Sequence, residues 1–319
     1  MELITQLKHA HQQRPVFIIG AAFVDLVMNT PSLPTRGDDI FVHSSSVTVG
    51  GCALNIARIH KTLELDSVAA IPVGQGLWAG HIRNTLEKEG IQLTQERSSG
   101  DNGWCLAMVE ADGERTFLSS EGVEADWTRE DLDALKVPDH GIVYLSGYQL
   151  AAITGDLFLD WIESLPPTVD IVFDPGPRLV DLSERQWQRL YRRSVLLTLN
   201  RRETELLAKS QPAASFCREL AAATNQALVY RMDKGGAIVF EPKGQTPIAP
   251  FPTQIVDTIG AGDAHAAGLI YGLALGLTVS QATLIGNAVA SHAVEQQGAS
   301  LGLNRLELIS KLQKISYKE

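Results

Sequence analysis

The chain has 319 residues, 45% of them hydrophobic and 20% charged, with a formal net charge of −10. That is enough apolar material for a large core in one or two domains, and the acidic balance excludes nucleic acid or an anionic membrane surface as the main partner. Cys52, Cys105 and Cys217 are scattered, with no pair at metal-ligand spacing, and read as reduced thiols of a cytoplasmic protein.

Residues 1–14 are polar and carry no apolar core, so no signal peptide is expected. Val16–Gly20 is a short apolar run ending in glycine, which suits a fully buried strand. Similar runs recur at Val68–Ile71, Ile142–Leu145, Ile171–Phe173, Val195–Thr198 and Ala227–Tyr230. Helical spacing fills the windows Ala53–Leu63, Ala79–Glu89, Asp156–Leu165, Glu184–Tyr191 and Ala214–Thr224. Buried strands alternating with helices predict an α/β fold, a doubly wound and mostly parallel sheet covered by helices on both faces. Residues 21–49 and 97–120 break this rhythm. The second alternates in character through Trp104–Glu110, and Asp112-Gly113 gives a hairpin-turn signal before Arg115-Thr116-Phe117. These two segments are expected to form a small β-sheet lid, inserted from two places, able to cover a site and exclude water. After Gly260 only packed helices are expected. The small-apolar stretch Ala264–Leu277 holds His265 and several glycines and is too short to span a bilayer. The expected organisation is one domain over residues 1–319 with that discontinuous lid.

Several local patterns could carry chemistry. Asp25 lies in the apolar stretch Ala21–Val27, where an acid needs a partner: a sugar diol would serve, and so would a surface Lys or Arg. Gly50-Gly51 permits close backbone approach, and Asn55, one turn into a helix, looks back at that loop. Its amide could bind a hydroxylated ligand through donor and acceptor; the simpler reading is a tight turn with local capping. Asn200-Arg201-Arg202-Glu203 follows a buried strand, at the end where open α/β sheets place ligands. Asn and Glu oxygens suit a hydrated magnesium ion, yet the spacing is also close to a capping box. Asp233–Gly236 is either a backbone loop under nucleotide phosphates or a hairpin turn. His265 and His292 fall on predicted helices and read as core or surface residues.

The stretch Val256–Asp263 carries the most information. Gly260, Ala261 and Gly262 stand where a helix begins, so their backbone N–H groups and the helix dipole create an anion site. Asp263 in the first turn would repel the anion that it adjoins. That placement makes sense if the acid takes a proton from a hydroxyl attacking phosphorus. An ordinary glycine-rich helix start with a first-turn acid explains the loop equally well on its own. No Ser/His/Asp set is identifiable, no G-x-x-x-x-G-K-[ST] loop occurs, and Gly20-Ala21-Ala22 is not the G-x-G-x-x-G of a nicotinamide dehydrogenase.

Taken together, Gly50-Gly51 with Asn55 and the run Asp257–Asp263 resemble the two signatures of the ribokinase or PfkB family of carbohydrate kinases, in order and in separation. The resemblance covers about Val16 to Lys311, and Asn200–Glu203 falls at the expected place between the signatures. Gly50–Asn55, Asp101–Cys105 and Asp257–His265 further resemble a bacterial subgroup of sugar kinases of unassigned substrate. The resemblance implies a ribokinase-like fold and transfer of the γ-phosphoryl group of ATP to a sugar hydroxyl. Asp263 would be the general base, with the amides of Gly260, Ala261 and Gly262 as the anion hole. Asp25, Gly50, Gly51 and Asn55 would bind the acceptor under the lid. Asn200 and Glu203 would hold Mg2+ through water, and Asn287 would lie beside the adenine. Where the family has Thr-x-Gly-x-x-Gly against the nucleotide, this chain has Arg231, Asp233 and Gly236, so an acid replaces a glycine near the phosphates. The resemblance also leaves room for a monovalent cation such as K+ beside Asp257, the carbonyl of Ile259 and Gly298, although Gln296 stands where an Arg is common.

The expected function is an ATP-dependent sugar kinase of the cytoplasm acting on a small molecule, with no nucleic-acid or membrane partner. A nucleoside kinase of the pseudouridine type is an alternative, with Trp104 or Phe23 stacking on a base or else packing the lid's own core. A sugar-phosphate acceptor calls for clustered cations, and only Arg36 and Arg58 are in reach by sequence. A catalytically silent sugar-binding or regulatory protein on the same fold is the alternative of another class, against which the intact Asp263 speaks. The open edges of the lid sheet suggest a homodimer through that surface.

Overall fold

In the computed structural model, which describes residues 2–112, 114–193, 195–296 and 303–316, the apolar runs become strands. In chain order these are β1 (Val16–Ile19), β2 (Phe23–Asn29), β3 (Ser44–Gly50), β4 (Ser67–Ala70), β5 (Pro72–Val73), β6 (Gln95–Glu96), β7 (Trp104–Val109), β8 (Arg115–Ser120), β9 (Ile142–Ser146), β10 (Asp170–Asp174), β11 (Val195–Leu199), β12 (Leu228–Arg231), β13 (Ala237–Glu241) and β14 (Gly244–Ile248). An eight-stranded sheet runs β14-β13-β12-β11-β10-β9-β1-β4. Its members from β4 to β12 are parallel, and β13 and β14 add an antiparallel edge. This is the doubly wound, mostly parallel sheet expected of an α/β fold, extended by a hairpin edge that the residue pattern did not reveal.

Alternation along each buried strand sorts the core into two layers. Val16 and Ile18 of β1 point into one apolar cluster, and Phe17 and Ile19 into the other; Ile142/Tyr144 and Val143/Leu145 of β9 do the same. The first layer is closed by the helices Cys52–Thr62, Ala261–Ala274 and Val279–Ala293, and the second by Gly155–Ser164, Glu184–Arg192 and Ala213–Thr224. Among described residues, no helix is long and apolar enough to cross a membrane.

Helix Ala261–Ala274 is buried from Ala264 through Ala274, because it is flanked by helices Cys52–Thr62 and Val279–Ala293 within the first core layer. Glycines let those two helices approach closely. A Cβ at Gly268 would stand 2.8 Å from Gly286 Cα, and one at Gly272 would stand 2.6 Å from Ala282 Cα. The polar N-terminus, in which no apolar core was visible, forms helix Glu2–His9; it buries Ile4 and Leu7 in the first layer together with Leu308 and Leu312 of helix Arg305–Ser316. Two apolar residues one turn apart suffice for that contact, so composition alone concealed it.

The lid is a separate four-stranded sheet, β3-β2-β7-β8, drawn from the two segments that break the α/β rhythm. β2 pairs antiparallel with β3 and parallel with β7, and β7 pairs antiparallel with β8. Asp112 Oδ1 accepts a bond from the Glu114 amide in the connecting turn, while Gly113 of the expected turn lies outside the described residues. A two-stranded parallel pair, β5 with β6, sits beside the lid and was not foreseen.

Gly272→Val is expected to lower the unfolding free energy by about 1–3 kcal/mol, because the added side chain has no room against Ala282. Gly80→Ala, on helix Leu77–Glu89 with open space around its Cβ, is expected to raise it by about 0.5–1 kcal/mol. Urea midpoints of the two variants test the contrast.

Candidate active site

β1 pairs with β4 on one side and β9 on the other, so the chain winds away from β1 in both directions. Ligand crevices of such sheets open beyond the C-terminal strand ends at this switch point. The residues of interest converge there.

From the lid side, β2 carries Asp25 and β3 ends in Gly50. A Cβ at Gly50 would fall on the Asp25 carboxylate. Gly51, at φ 117°, turns the chain into helix Cys52–Thr62, and a Cβ there would strike the Ala21 carbonyl. Gly51 is therefore required by its backbone approach and its positive φ, while a side chain at Gly50 would displace the Asp25 carboxylate. Burial raises the Asp25 pKa to about 6, partly offset by the Arg58 charge.

Asn55, buried one turn into that helix, donates from Nδ2 to Asp263 Oδ2 at 2.8 Å and accepts at Oδ1 from Arg58 Nη1 at 3.3 Å. Arg58 is itself locked: Nε and Nη2 reach the Glu89 carboxylate at 2.7 and 2.8 Å, and Nη1 reaches the Val49 carbonyl at 2.9 Å. The Asn55 amide is thus not wholly free for a ligand. One donor and one acceptor are used inside the protein, which fixes its orientation and leaves one N–H and one lone pair.

Gly260 has φ 74°, the left-handed turn from which helix Ala261–Ala274 starts. Asp257 Oδ1 accepts the Ile259 amide at 3.0 Å and tightens the loop before it. The Ala261 amide donates to the Thr258 carbonyl at 3.2 Å, and the first N–H groups of a helix otherwise lack partners within it, which makes this helix start suited to an anion. Asp263 lies beside them. Burial raises its pKa, hydrogen bonds from Asn55 and the Cys52 thiol oppose that shift, and the Asp174 charge adds to it. The same crowding lifts Cys52 and Tyr144 well above their ordinary values, chiefly through burial, with Asp263 and Asp174 contributing.

Across the anion site stands an acidic pair sharing one guanidinium. Arg231 at the end of β12 places Nη2 3.1 Å from Asp174 Oδ2, at the end of β10, and 3.5 Å from Glu203 Oε2. All three side chains are nearly buried, at 11%, 10% and 7% exposure. Burial and the Asp174 charge raise the Glu203 pKa, against the lowering effect of Arg231. Asn200 and Glu203 do form a capping box: Asn200 Oδ1 accepts the Glu203 amide and Glu203 Oε2 accepts the Asn200 amide, both at 2.8 Å. The cap and a ligand role are compatible, since the cap is what orients the Glu203 carboxylate toward Arg231.

Other expected site residues lie outside this cluster of hydrogen bonds. Asp233 is exposed at φ 53° and pairs with Arg201 at 3.0 Å, so its charge is neutralised by a neighbour. Gly236, at φ 81°, closes the turn joining β12 to β13, where its carbonyl accepts the Met232 amide at 2.7 Å. Loop and hairpin turn are therefore the same segment. Asn287 donates to the Ala249 carbonyl at 3.0 Å. Gly298 lies outside the described residues. Among described residues, no group of three or more His, Cys, Asp or Glu gathers as a metal site. His265 is buried in the core, and burial and the Arg231 charge lower its pKa to about 3.

Sequence reasoning missed Asp174, Tyr144 and the Arg58–Glu89 clamp. A signal existed for Asp174: it ends an apolar run just before Pro175-Gly176-Pro177, where a strand of the sheet stops. The motif Asp101-Asn102-Gly103 has a structural account. Asp101 accepts the Trp78 and Ala79 amides at the start of helix Leu77–Glu89, at 3.1 and 2.7 Å. Asn102 bonds Gly74 and Pro72, and the Gly103 amide donates to buried Glu124 at 2.8 Å. The root of β7 is thereby pinned to the main body.

An anion site with a buried acid beside it, under a β lid at the switch point of a doubly wound sheet, is the arrangement of a small-molecule kinase. The family model described as "pfkB family carbohydrate kinase" matches residues 13–305, and the chain belongs to that family of ATP-dependent carbohydrate kinases. It is 42% identical over 311 residues to a protein of Escherichia coli (strain K12) described as "Uncharacterized sugar kinase YegV", covering 96% of this chain and 97% of that one. It is 27% identical over 289 residues to the 1-phosphofructokinase of the same organism, covering 87% and 89%. The ribokinase of Thermotoga maritima superposes with a TM-score of 0.81 at 20% identity, covering 94% of this chain and 99% of that one, which confirms the ribokinase-like fold.

Asp25→Asn is expected to stabilise the protein above pH 6, where the wild type must ionise a half-buried carboxylate. The gain should shrink as pH falls from about 6 toward the ordinary carboxylate value and vanish below it, since both forms are then neutral. Thermal unfolding at pH 4 and pH 8 measures the difference; an equal effect at both would show that burial does not set this pKa.

Proposed function

We propose that this carbohydrate kinase phosphorylates a hydroxyl of a small uncharged sugar, with Asp263 as the general base. The observation that carries the reading is the 2.8 Å hydrogen bond between Asn55 and Asp263, which joins the acceptor side of the crevice to the anion site. Asn55 holds the Asp263 carboxylate through Oδ2, leaving Oδ1 to accept a proton from a hydroxyl bound near Asp25. The Asp25 carboxylate and the remaining N–H of Asn55 suit a vicinal diol. The amides of Gly260, Ala261 and Gly262 stabilise negative charge as it develops on the phosphoryl oxygens.

The site fits a nucleotide and a divalent cation. A Cβ at Gly262 would meet Arg231 Nη1 at 3.3 Å and otherwise open space, so the helix start is accessible. Asp174 and Glu203 offer hard oxygen donors, and Asn200 orients Glu203 to hold a hydrated Mg2+. ATP with Mg2+, when bound, supplies the transferable phosphoryl group and screens its charge. Arg231, the turn through Asp233 and Gly236, and Asn287 form the nucleotide side. Asp257 and the Ile259 carbonyl form one wall for a K+ ion.

Two observations favour a neutral sugar over the rivals. Arg58, in reach of the acceptor by sequence, is committed to Glu89, Val49 and Asn55, which argues against a phosphorylated acceptor. Trp104 packs against the main core cluster, which argues against its stacking on a nucleoside base. The whole chain is read as one domain with its lid, working as a homodimer through the lid's open sheet edges. Three free thiols suit a reducing cytoplasm.

ADP release with a panel of pentoses, hexoses, sugar phosphates and nucleosides tests the reading. Turnover is expected with a free sugar, and clear thermal stabilisation by a sugar without turnover would favour a silent binder. Asp263→Asn is expected to lower kcat by about 10²–10⁴ with ligand binding retained. Because the base must be ionised and its pKa is raised, kcat/KM should fall with decreasing pH above the range of an ordinary aspartate.

A further inference from the structure

Arg231 brings a full positive charge to a crevice otherwise lined by acids. Its guanidinium touches Asp174 and Glu203 through Nη2 alone, at 3.1 and 3.5 Å, so neither contact is a two-pronged arginine–carboxylate pair. Its Nε–H is buried without a hydrogen-bond partner. Its Nη1 stands against Gly262, 3.3 Å from the place of the missing Cβ, at the start of the helix. The cation is thus held in position by two carboxylates while part of its hydrogen-bonding edge stays unused, next to amides that attract an anion. The Asp174 and Glu203 charges outweigh the effect of burial and keep it protonated.

We propose that Arg231 binds the terminal phosphate of the nucleotide, with Asp174 and Glu203 positioning its guanidinium for that contact. Nη1, the guanidinium nitrogen turned to the helix start, brings two N–H donors and a fixed charge to a phosphate, which an uncharged threonine or serine could not match. The nucleotide rather than the acceptor is the source of this phosphate. Arg231 directly precedes the turn Met232–Gly236, whereas Asp25 and Asn55 reach the crevice from the lid and from helix Cys52–Thr62. The assignment rests on the kinase reading above and makes a narrower claim.

Calorimetric titration of the full chain in the presence of Mg2+ tests it, with ADP, a β,γ-imido analogue of ATP, and fructose 1-phosphate as probes. Arg231→Met is expected to weaken the triphosphate analogue by about tenfold to hundredfold and ADP by less than about threefold. Arg231→Lys keeps the charge without the planar edge, and should lose about threefold to tenfold on the triphosphate alone. The lysine variant decides the matter if the methionine variant does not fold. Equal losses for ADP and the triphosphate would assign Arg231 to architecture and overturn the proposal. So would unchanged affinity for the triphosphate, or a loss confined to fructose 1-phosphate. Failure of the wild-type protein to bind any nucleotide would instead sink the kinase reading itself.

Discussion

Everything at the crevice depends on where helix Ala261–Ala274 begins. Eleven consecutive buried residues, Ala264–Ala274, fix it between helices Cys52–Thr62 and Val279–Ala293, with glycine-to-glycine approach at Gly268 and Gly286. A helix clamped so closely cannot slide or tilt without breaking the packing of a dense interior. Its N-terminus is therefore a rigid reference point, and Gly260 in the left-handed conformation lets the chain arrive there without strain. The anion site and Asp263 inherit that rigidity. Placing reactive groups on such an element, rather than on a loop, is how a site holds them within a fraction of an ångström.

The cost of this arrangement is electrostatic. Asp263, Asp174 and Glu203 are gathered in a poorly solvated place with Arg231 as their nearby cation. Burial and mutual repulsion raise the pKa values of Asp263 and Glu203, which is a destabilising condition for the folded chain at neutral pH. A fold selected for stability alone would replace these acids. Their retention at the switch point of the sheet, beside helix amides that repel cations and attract anions, is the mark of a site built to receive opposite charges together.

What could be read from the residues followed the range of the interactions involved. Val16–Ile19 and Ile142–Ser146 announce buried strands because burial on both faces leaves a continuous apolar run. The lid was legible as the two segments lacking that rhythm, and Gly260–Asp263 was legible because a helix start is a local event. The capping box at Asn200–Glu203 was equally local, and the capping geometry is present. The Asp174–Arg231–Glu203 cluster was not legible, since Glu203, in the first turn of helix Arg201–Ala208, and Asp174, at the end of β10, lie 28 and 57 residues from Arg231. Nor was the Asp233–Arg201 pair, which removes the apparent conflict of an acid near phosphates through a contact made only by folding. The edge strand β14 escaped because it is mostly exposed and lacks an apolar run, whereas β13 carries such a run, Ala237–Phe240, that went unread.

The two halves of the crevice rest on different supports. Asp174, Arg231 and Asp263 stand on the ends of β10 and β12 and on the clamped helix, whereas Asp25 and Gly50 stand on β2 and β3 of the lid. The lid's β7 is tied at its root by Asp101 to helix Leu77–Glu89 and by Gly103 to Glu124, yet β3 is largely exposed along its length. Residues on an exposed sheet can change without disturbing the main core, while those at the strand ends cannot. The rigid and the variable parts of the crevice are thereby separable in this fold. The loop Asp257–Asp263 belongs to the first, and Asp25 and Cys105, adjacent across β2 and β7, belong to the second.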